Sequence, residues 1–213
     1  MSAEIVVFGR EPVPGRVKTR LARAIGPEGA AAVYAVLLRH ALDEAVATGL
    51  PVMLSFADAP SPAYHAPRGV RLAQQTTGDL GARMAAAFAA RFAAGADVVA
   101  LIGSDVARLT RQHLLEAVAA CSKVPVCLGP SPDGGYWLVA QRAPGVDLFA
   151  GVPWSSPGTL EATRAALRSR GVAWHEVEEL DDVDTMTDLA LALEGSALGP
   201  ELERAMRSRG GGR

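Results

Sequence analysis

The sequence predicts an α/β fold built around a mostly parallel sheet. Short apolar runs alternate with longer segments whose apolar residues recur at helical spacing, as in chains where strands alternate with helices. The run at residues 97–103 is apolar almost throughout, as expected of a parallel strand that is covered on both faces. A strand at residues 5–8 leads through a loop directly into a helix. These observations favour an open sheet with its ligand site at the carboxyl ends of the strands.

Length and composition limit the classes of protein to consider. With 213 residues, 49% of them hydrophobic, we expect one domain over residues 1–206 and a disordered tail at 207–213. The net charge of −2 argues against a nucleic acid partner. Cys121 and Cys127 fit neither a metal spacing nor a redox pair, so we expect buried thiols in a reducing compartment. Because Glu4 interrupts the apolar start, we expect no signal peptide. No apolar run approaches the length of a membrane span, so we also expect no span and a cytoplasmic protein.

Strands are expected where short apolar runs end at turn residues. They lie at residues 5–8, 52–56, 70–74, 97–103, 124–128 and 172–177. The run at 129–140 contains paired glycines, an aspartate and two aromatic residues, and we interpret it as backbone that approaches a flat or polyhydroxylated ligand. An Asp-Gly pair is also common in a simple hairpin turn.

Helices are predicted from one-sided apolar patterns and from residues that start or stop a helix. A first short helix carries Val17, Leu21 and Ile25, and a second begins at Pro27, a residue favoured at the first helical position, and ends at Gly49. Further helices are expected after residues 78–84, at 110–120, at 159–170, and through Leu189 and Leu191 with Thr185 as a cap.

The loop after the first strand is strongly basic. One negative charge, Glu11, is outnumbered by five positive charges, Arg10, Arg16, Lys18, Arg20 and Arg23. The loop ends in the unpaired N–H groups of a helix, so it is suited to bind a phosphate. Exposed arginines are often only solvated, but Lys18 is one of only two lysines among 21 basic residues and can reach a phosphate as a compact charge. The loop is neither a Walker loop nor a Gly-x-Gly-x-x-Gly turn.

Two aspartates are candidate ligands for a divalent metal. Asp105 directly follows the strand at 97–103, too early to cap the helix that starts near Thr110, and a carboxylate there can coordinate a metal that also holds phosphate oxygens. The acidic block at 176–188 is interpreted mostly as a solvated face. Asp184 is the exception, because the loop that carries it can return this carboxylate towards Asp105.

Gly78, Asp79 and Arg83 surround the start of the helix that follows the third strand. The glycine would let a ligand approach backbone and side chains together, so these residues are candidates for nucleotide binding. A helix cap explains Asp79 almost as well.

Six motifs in one order resemble a known bacterial family. They are the basic loop, Gly-Asp-Leu-Gly-Ala-Arg-Met at 78–84, Gly-Ser-Asp at 103–105, Asp-Gly-Gly-Tyr at 133–136, Val-Pro-Trp-Ser at 152–155 and Asp-Val-Asp-Thr at 182–185. Over residues 4–193 the chain is similar to small GT-A-fold proteins named as glycosyltransferases, in some genomes alongside arsenosugar biosynthesis. More distantly it resembles 2-phospholactate guanylyltransferase, molybdenum-cofactor guanylyltransferase and the cytidylyltransferase for the sugar acid of lipopolysaccharide.

The resemblance implies a single-domain GT-A (nucleotide-diphospho-sugar transferase) fold, a mostly parallel twisted sheet with helices on both faces. It implies Mg²⁺ (or Mn²⁺) as the cofactor, with Asp105 and Asp184 as the metal ligands. It also implies that the phosphates are held by Arg10, Arg16, Lys18 and Arg20.

The same resemblance places an acceptor or sugar near a later group of residues, which comprises Asp133, Gly134, Gly135, Tyr136 and Trp154. The chain departs from the family pattern at Ala107, where Pro is usual, and at residues 186–187, where Pro-Glu is usual. Neither departure replaces an expected ligand, so they bear on loop shape more than on chemistry.

Three functions stay open at this point. The first is glycosyl transfer from a nucleotide-diphospho-sugar to a small-molecule acceptor, with Lys18, Asp105 and Asp133 as the catalytic residues. The second is nucleotidyl transfer from a nucleoside triphosphate with release of pyrophosphate, which the basic loop also suits. The third is a nucleotide-binding module without turnover.

Overall fold

The computed structural model describes residues 1–61, 63–154 and 156–207. The predicted tail lies outside the described residues from position 208 onwards, and so does Ser155 of the fifth motif. The described strands are β1 (Ala3–Gly9), β2 (Val52–Phe56), β3 (Val70–Gln74), β4 (Val98–Ile102), β5 (Val126–Pro130), β6 (Tyr136–Arg142) and β7 (Trp174–Glu176). The described helices are α1 (Thr19–Ala47), α2 (Leu80–Ala93), α3 (Arg111–Ala120), α4 (Thr159–Ser169), α5 (Met186–Gly195) and α6 (Gly199–Arg207).

The described strands form one seven-stranded sheet in the order β3-β2-β1-β4-β6-β5-β7. β1 pairs in parallel with β2 and β4, β2 with β3, and β5 with β7, whereas β6 is antiparallel to both of its neighbours. The expectation of a mostly parallel sheet is therefore confirmed. Because every described strand except β6 points the same way, the loops after β1, β2, β3, β4, β5 and β7 all emerge at one edge.

Alternate side chains of the strands enter two apolar cores, one on each face of the sheet. Ile5 and Val7 of β1 pack in the core that contains Leu38 of α1 and Leu114 of α3. Val6 packs on the other face, in the core that contains residues of α2 and α4. This alternation follows from the period of two residues in a strand. It explains why the central strands are apolar throughout.

α1 contains the junction between the two helices that the sequence predicts. Gly26 has φ 80° and ψ 160°, which is not helical, and Pro27 follows it as the first residue of the longer segment. Proline at the start of a helix loses no hydrogen bond, so the kink is placed by the sequence itself.

α1 is also long and apolar enough to cross a membrane by length and composition. This test considers length and composition only, so the expectation of no membrane span stays a prediction. The apolar side chains of α1 pack instead against the protein's own sheet and helices, among them Leu37, Leu38 and Leu42, which are buried. A core helix of a globular fold passes the same test.

Two described elements were not predicted. β6 begins within the run at 129–140 and forms a hairpin with β5, so the Asp-Gly pair marks a turn between strands. α6 has a polar sequence around Leu202, which packs against Leu21, Val33 and Leu37 of α1. Its position depends on a partner distant in sequence, which local periodicity does not reveal.

Candidate functional site

A cleft of about 330 Å³ opens at the carboxyl ends of β1 and β4. The chain runs from β1 outwards to β2 and β3 and then returns to place β4 on the other side of β1. The ends of β1 and β4 therefore form the topological switch point at which open α/β sheets bind ligands. Six residues predicted from the sequence line this cleft, namely Arg10, Arg16, Lys18, Arg83, Asp105 and Asp184.

The basic loop connects β1 to α1 and leaves the amino end of the helix open. Gly15 has φ 78°, a conformation that glycine adopts at little cost, and it allows the loop to turn before the helix. Lys18 is the N-cap residue, with φ 45° and ψ 47°, and it is the one positive-φ residue other than glycine in the described ranges. No side chain caps this helix within the described part of the chain, so its first N–H groups stay available to an anion.

The ammonium of Lys18 lies between two carboxylates. Its Nζ is 2.7 Å from Oδ2 of Asp105 and 2.7 Å from Oδ1 of Asp184. The side chain of Lys18 is only 5% exposed, whereas those of Asp105 and Asp184 are 27% and 46% exposed. The two carboxylates thus share one cation on the floor of the cleft, and they remain accessible from its open side.

The expected return of Asp184 towards Asp105 is confirmed. The backbone N–H of Val183 donates to the carbonyl of Asp105 at 3.0 Å, and Val106 forms a β-bridge with Asp182. Thr185 then caps α5, as predicted, by accepting a hydrogen bond from the N–H of Asp188. Backbone pairing and the cap together hold Asp184 in place.

The neighbouring carboxylates stabilise the protonated form of Lys18, whereas burial alone would destabilise it. Burial alone lowers the pKa of a lysine, but the negative charges of Asp105 and Asp184 and the hydrogen bonds to them outweigh this effect. The net result is a pKa of Lys18 above its ordinary value. The ammonium therefore stays protonated at any physiological pH.

Two arginines of the basic loop stand at the rim of the cleft. Nη1 of Arg20 is 3.7 Å from Oδ2 of Asp184, and the Arg20 side chain is largely exposed. Nη1 of Arg10 is 3.8 Å from Asp58, and both of these side chains are exposed. Exposed pairs of this kind contribute little to stability, so both guanidinium groups can turn towards an anionic ligand.

Tyr34 joins the two loops that carry the charged residues, and sequence reasoning missed it. Its hydroxyl accepts the backbone N–H of Arg10 at 2.9 Å and lies 2.8 Å from Oγ of Ser104. Burial raises the pKa of Tyr34, so the hydroxyl stays neutral. Within the apolar pattern of α1, Tyr34 looks like another core residue, and nothing local reveals the bridge.

Arg83 enters the cleft from α2 and is oriented by Gln75. Nη1 of Arg83 donates to Oε1 of Gln75 at 2.8 Å, and Nε2 of Gln75 donates to the carbonyl of Ser55 at 2.8 Å. Asp79 is the N-cap of α2 and accepts from the N–H of Ala82 at 2.8 Å. Asp79 therefore has the capping role that we considered beside nucleotide binding, and Gly78 precedes it with φ 116°.

The residues expected on the acceptor side lie at the β5–β6 hairpin and beyond it. Asp133 is exposed and accepts from the N–H of Gly135 at 2.9 Å within the turn. Gly134 has φ 85°, and a Cβ there would overlap the carbonyl of Pro157. The expected roles of Asp133, Gly134 and Gly135 stay predictions, because these residues do not line the cleft around Lys18.

Tyr136 and Trp154 belong to the aromatic packing on the α2 side of the sheet. Their ring centroids are 6.4 Å apart, and Trp154 also packs on Phe149. A Cβ at Gly81 would overlap the Trp154 indole, so this ring lies directly on the first turn of α2. The structure thus gives both aromatic residues a packing contact, and their contact with an acceptor stays a prediction.

Asp182 is a partly buried member of the acidic block, which we interpreted as mostly a solvated face. Its carboxylate accepts from Oγ of Ser131 at 3.3 Å and is partly buried. Burial, together with repulsion from Asp105 and Asp133, raises the pKa of Asp182 to about 7. A buried carboxylate next to other carboxylates is costly for folding, and the sequence offered only the density of acidic residues as a clue.

Asp105 and Asp184 fit a divalent metal that also has phosphate ligands. In the described ranges no three His, Cys, Asp or Glu side chains converge as a self-sufficient metal site. Mg²⁺ does not need such a cage, because it is typically bound by one or two carboxylates together with substrate phosphates and water. The two carboxylates already hold one cation in common, the Lys18 ammonium, which shows that their geometry suits a shared positive charge.

The fold is that of the nucleotide-diphospho-sugar transferases. The structure matches, with a TM-score of 0.87 and 26% identity, a protein of Desulfovibrio desulfuricans G20 provisionally described as a nucleotide-diphospho-sugar transferase, over 97% of this chain and 98% of that chain. Residues 35–156 match the model of the family described as "Uncharacterized protein conserved in bacteria (DUF2064)". The matched segment exceeds half of the chain, so the protein belongs to this family. The resemblance inferred from the motifs is confirmed.

Three further solved structures share the fold at lower identity. Rv0371c from Mycobacterium tuberculosis H37Rv is 19% identical with a TM-score of 0.60, over 92% of this chain and 99% of that chain. A complex of Rv0371c with manganese matches at 19% identity with a TM-score of 0.53. The inositol-1-phosphate CTP transferase from T. maritima is 12% identical with a TM-score of 0.57, over 97% of each chain. Among proteins with curated functions, none matches the chain.

Proposed function

We propose that the protein is a divalent-metal-dependent transferase that moves a glycosyl group from a nucleotide-diphospho-sugar to a small-molecule acceptor. One observation carries the proposal: Asp105 and Asp184 converge on a shared cation beside a basic loop, at the switch point of the sheet. A diphosphate is the part of such a donor that needs both a metal and arginines. The name of the Desulfovibrio relative supports this class of donor.

In this proposal the basic loop holds the diphosphate of the donor. Arg10, Arg16 and Lys18 contact its oxygens, Arg20 closes the rim, and the open N–H groups of α1 add uncharged donors. Gln75 holds the Arg83 guanidinium towards the cleft, where it completes the anion site beside Gly78 and Asp79. Catalysis then rests mainly on positioning and charge stabilisation.

The transfer itself breaks one bond and forms another. The bond between the anomeric carbon and the diphosphate oxygen breaks, and its electron pair leaves with the nucleoside diphosphate. An acceptor hydroxyl bonds to the carbon, and Asp133 orients this hydroxyl and receives its proton. Gly134, Gly135, Tyr136 and Trp154 form the acceptor side of the site. Mg²⁺ or Mn²⁺ held by Asp105 and Asp184 would neutralise the leaving diphosphate.

Metal dependence is supported by the donor set and by a structural relative. Two carboxylates with one open side suit an ion whose remaining ligands are phosphate oxygens and water. The manganese complex of Rv0371c shows that a protein of this fold takes up a divalent ion. We extend the proposal to a single domain over residues 1–206 and to a cytoplasmic location.

Nucleotidyl transfer is the second candidate. The same basic loop suits a departing pyrophosphate, because Lys18 and the neighbouring arginines concentrate positive charge next to the end of β1. The fold shared with the inositol-1-phosphate CTP transferase supports it. Here the bond between the α- and β-phosphates breaks, and the acceptor bonds to the α-phosphorus.

A ligand screen followed by product analysis tests these functions. Nucleoside triphosphates and sugar nucleotides are compared by thermal shift, each with and without Mg²⁺, since a ligand that binds only the native state raises the melting temperature. A preference for a sugar nucleotide, with a nucleoside diphosphate as the ³¹P-detected product, supports glycosyl transfer. A preference for a triphosphate, with pyrophosphate as the product, replaces it by nucleotidyl transfer. Binding without any product would make the protein a nucleotide-binding module.

A further inference from the structure

The cation shared by Asp105 and Asp184 is supplied by the protein itself. We propose that Lys18 is a resident counter-ion that keeps divalent metal out of the site until a phosphate group draws its ammonium away. Metal and nucleotide then bind cooperatively, and metal alone binds weakly. This inference rests on the proposed function, because it assumes that these two carboxylates are the metal ligands.

The geometry makes the ammonium and the metal competitors for the same carboxylates. Nζ of Lys18 is 2.7 Å from one oxygen of each aspartate. Mg²⁺ bonds carboxylate oxygens at about 2.0–2.1 Å, so an ion bonded to both of these oxygens would lie roughly 5 Å or less from Nζ. A divalent and a monovalent positive charge repel strongly at that distance inside a partly buried site. Binding of either cation therefore disfavours binding of the other.

The charge of the site differs between the two arrangements. With Lys18 in place, the group of Lys18, Asp105 and Asp184 carries one net negative charge, and with its ammonium withdrawn the two carboxylates carry two. A divalent ion is attracted far more by the second arrangement. The lysine therefore acts against metal binding directly, by occupying the oxygens, and indirectly, by reducing the attraction.

Lys18 has another anion site within reach. It belongs to the same loop as Arg10 and Arg16, which line the same cleft, so a bound diphosphate would present oxygens close to the ammonium. A lysine has a flexible stem and a compact charge, and it can exchange one partner for another without movement of the backbone. Arg20 lies at the exposed rim, 3.7 Å from the other oxygen of Asp184, and does not fill the position between the carboxylates.

The competition couples metal binding to binding of the phosphate ligand. If a phosphate ligand removes Lys18 from the carboxylates, it raises the affinity for metal, and metal raises the affinity for that ligand by the same factor. The lysine would therefore prevent the site from holding a metal ion without its substrate.

The first test measures Mn²⁺ affinity without nucleotide, by the loss of the free-ion signal in electron paramagnetic resonance. We expect Lys18→Met to bind Mn²⁺ roughly 10- to 100-fold more tightly than the natural protein, the scale of one or two charge-assisted contacts. Lys18→Gln, which keeps the polarity but not the charge, should behave in the same way. Arg16→Met removes an exposed charge of the same loop, and we expect a change of only about two- to threefold.

The alternative is that Lys18 opposes metal binding only as one nearby positive charge among several, without competing for the two carboxylates. Equal gains in Lys18→Met and Arg16→Met would overturn the inference, and so would unchanged Mn²⁺ affinity in both Lys18 variants. Asp105→Asn serves as the reference for the site, because the tighter binding must disappear in the double variant Lys18→Met/Asp105→Asn.

The second test uses the natural protein and follows the lysine itself. The chain contains two lysines, Lys18 and Lys123, so protein labelled with ¹³C-lysine gives two Cε signals, which Lys123→Arg assigns. Lys123 is exposed and serves as the internal control. When Mg²⁺ is added to saturation, we expect the Lys18 signal to move and the Lys123 signal to stay. A Lys18 signal that stays in place at saturating Mg²⁺ would show that metal and ammonium coexist, contrary to the inference.

The two tests separate this inference from the proposed function. If sugar nucleotides and Mg²⁺ bind together but the Lys18 variants gain no metal affinity, the inference fails and the function stands. If the Lys18 variants gain Mn²⁺ affinity while no nucleotide binds, the counter-ion role holds and the transferase proposal fails.

Discussion

Replacing Tyr34 by Phe removes one oxygen atom from the buried connection between the two charged loops. The ring of Tyr34, only 4% exposed, should keep its place because a phenyl ring fills the same volume. What is lost is the acceptor for the N–H of Arg10, at 2.9 Å, and the partner of Oγ of Ser104, at 2.8 Å. The variant thus tests the hydroxyl without creating a cavity.

The contacts that are lost set the expected size of the effect. Ser104 is 5% exposed, so its hydroxyl has little access to water when Tyr34 is replaced. A buried polar group left without a partner costs about 1–3 kcal/mol, and the N–H of Arg10, near the cleft, should cost less. We therefore expect Tyr34→Phe to lower the free energy of unfolding by about 2 kcal/mol. For a chain of this size that corresponds to a fall in melting temperature of about 4 to 8 °C.

Urea unfolding of a double-mutant cycle checks the reasoning. Ser104→Ala removes one partner, and the double variant Tyr34→Phe/Ser104→Ala removes both, so no hydroxyl is left unpaired in it. We expect the double variant to be more stable than the sum of the single effects predicts, by about 1 kcal/mol. Strict additivity, or a Tyr34→Phe variant as stable as the natural protein, would refute the role of this hydroxyl as a bridge.

Three further predictions follow from the site and from its supporting loops. Asp105→Asn should abolish metal-dependent turnover while circular dichroism shows an intact fold, and undiminished activity would remove Asp105 from the mechanism. Gly134→Ala should lower the melting temperature more than Gly95→Ala, because both glycines have positive φ but only Gly134 has backbone against its Cβ position. Equal falls in melting temperature would show that the positive φ alone, and not the contact with Pro157, determines the cost of the alanine. Gln75→Ala should weaken nucleotide binding roughly three- to tenfold in calorimetry by releasing the guanidinium of Arg83, and unchanged affinity would make their contact purely structural.

Much of the fold could be predicted because its signals are local. The kink at Gly26, the cap at Thr185 and the apolar strand β4 each depend on residues adjacent in the chain. The direction of β6 could not be predicted in this way. Its apolar residues are compatible with either orientation, and only its pairing with β4 and β5 decides between them.

Some features of the candidate site could likewise be predicted from the sequence, and others could not. The basic loop and the position of Asp105 were predictable, because a charge at the carboxyl end of a strand is visible in the sequence. The bridging hydroxyl of Tyr34 and the burial of Asp182 were not. Both depend on neighbours that other strands bring close, Ser104 for the tyrosine and Ser131 for the aspartate.

By itself, the sequence determined the alternation of strands and helices, the basic loop and the two candidate metal aspartates. Only the tertiary structure decided that Lys18 lies between those aspartates. The two ion pairs join residues that are 87 and 166 positions apart in the chain. Composition and spacing can indicate which residues carry charge, but contacts over such separations arise only when the sheet brings the ends of its strands to one edge, where chain order no longer limits which charges meet.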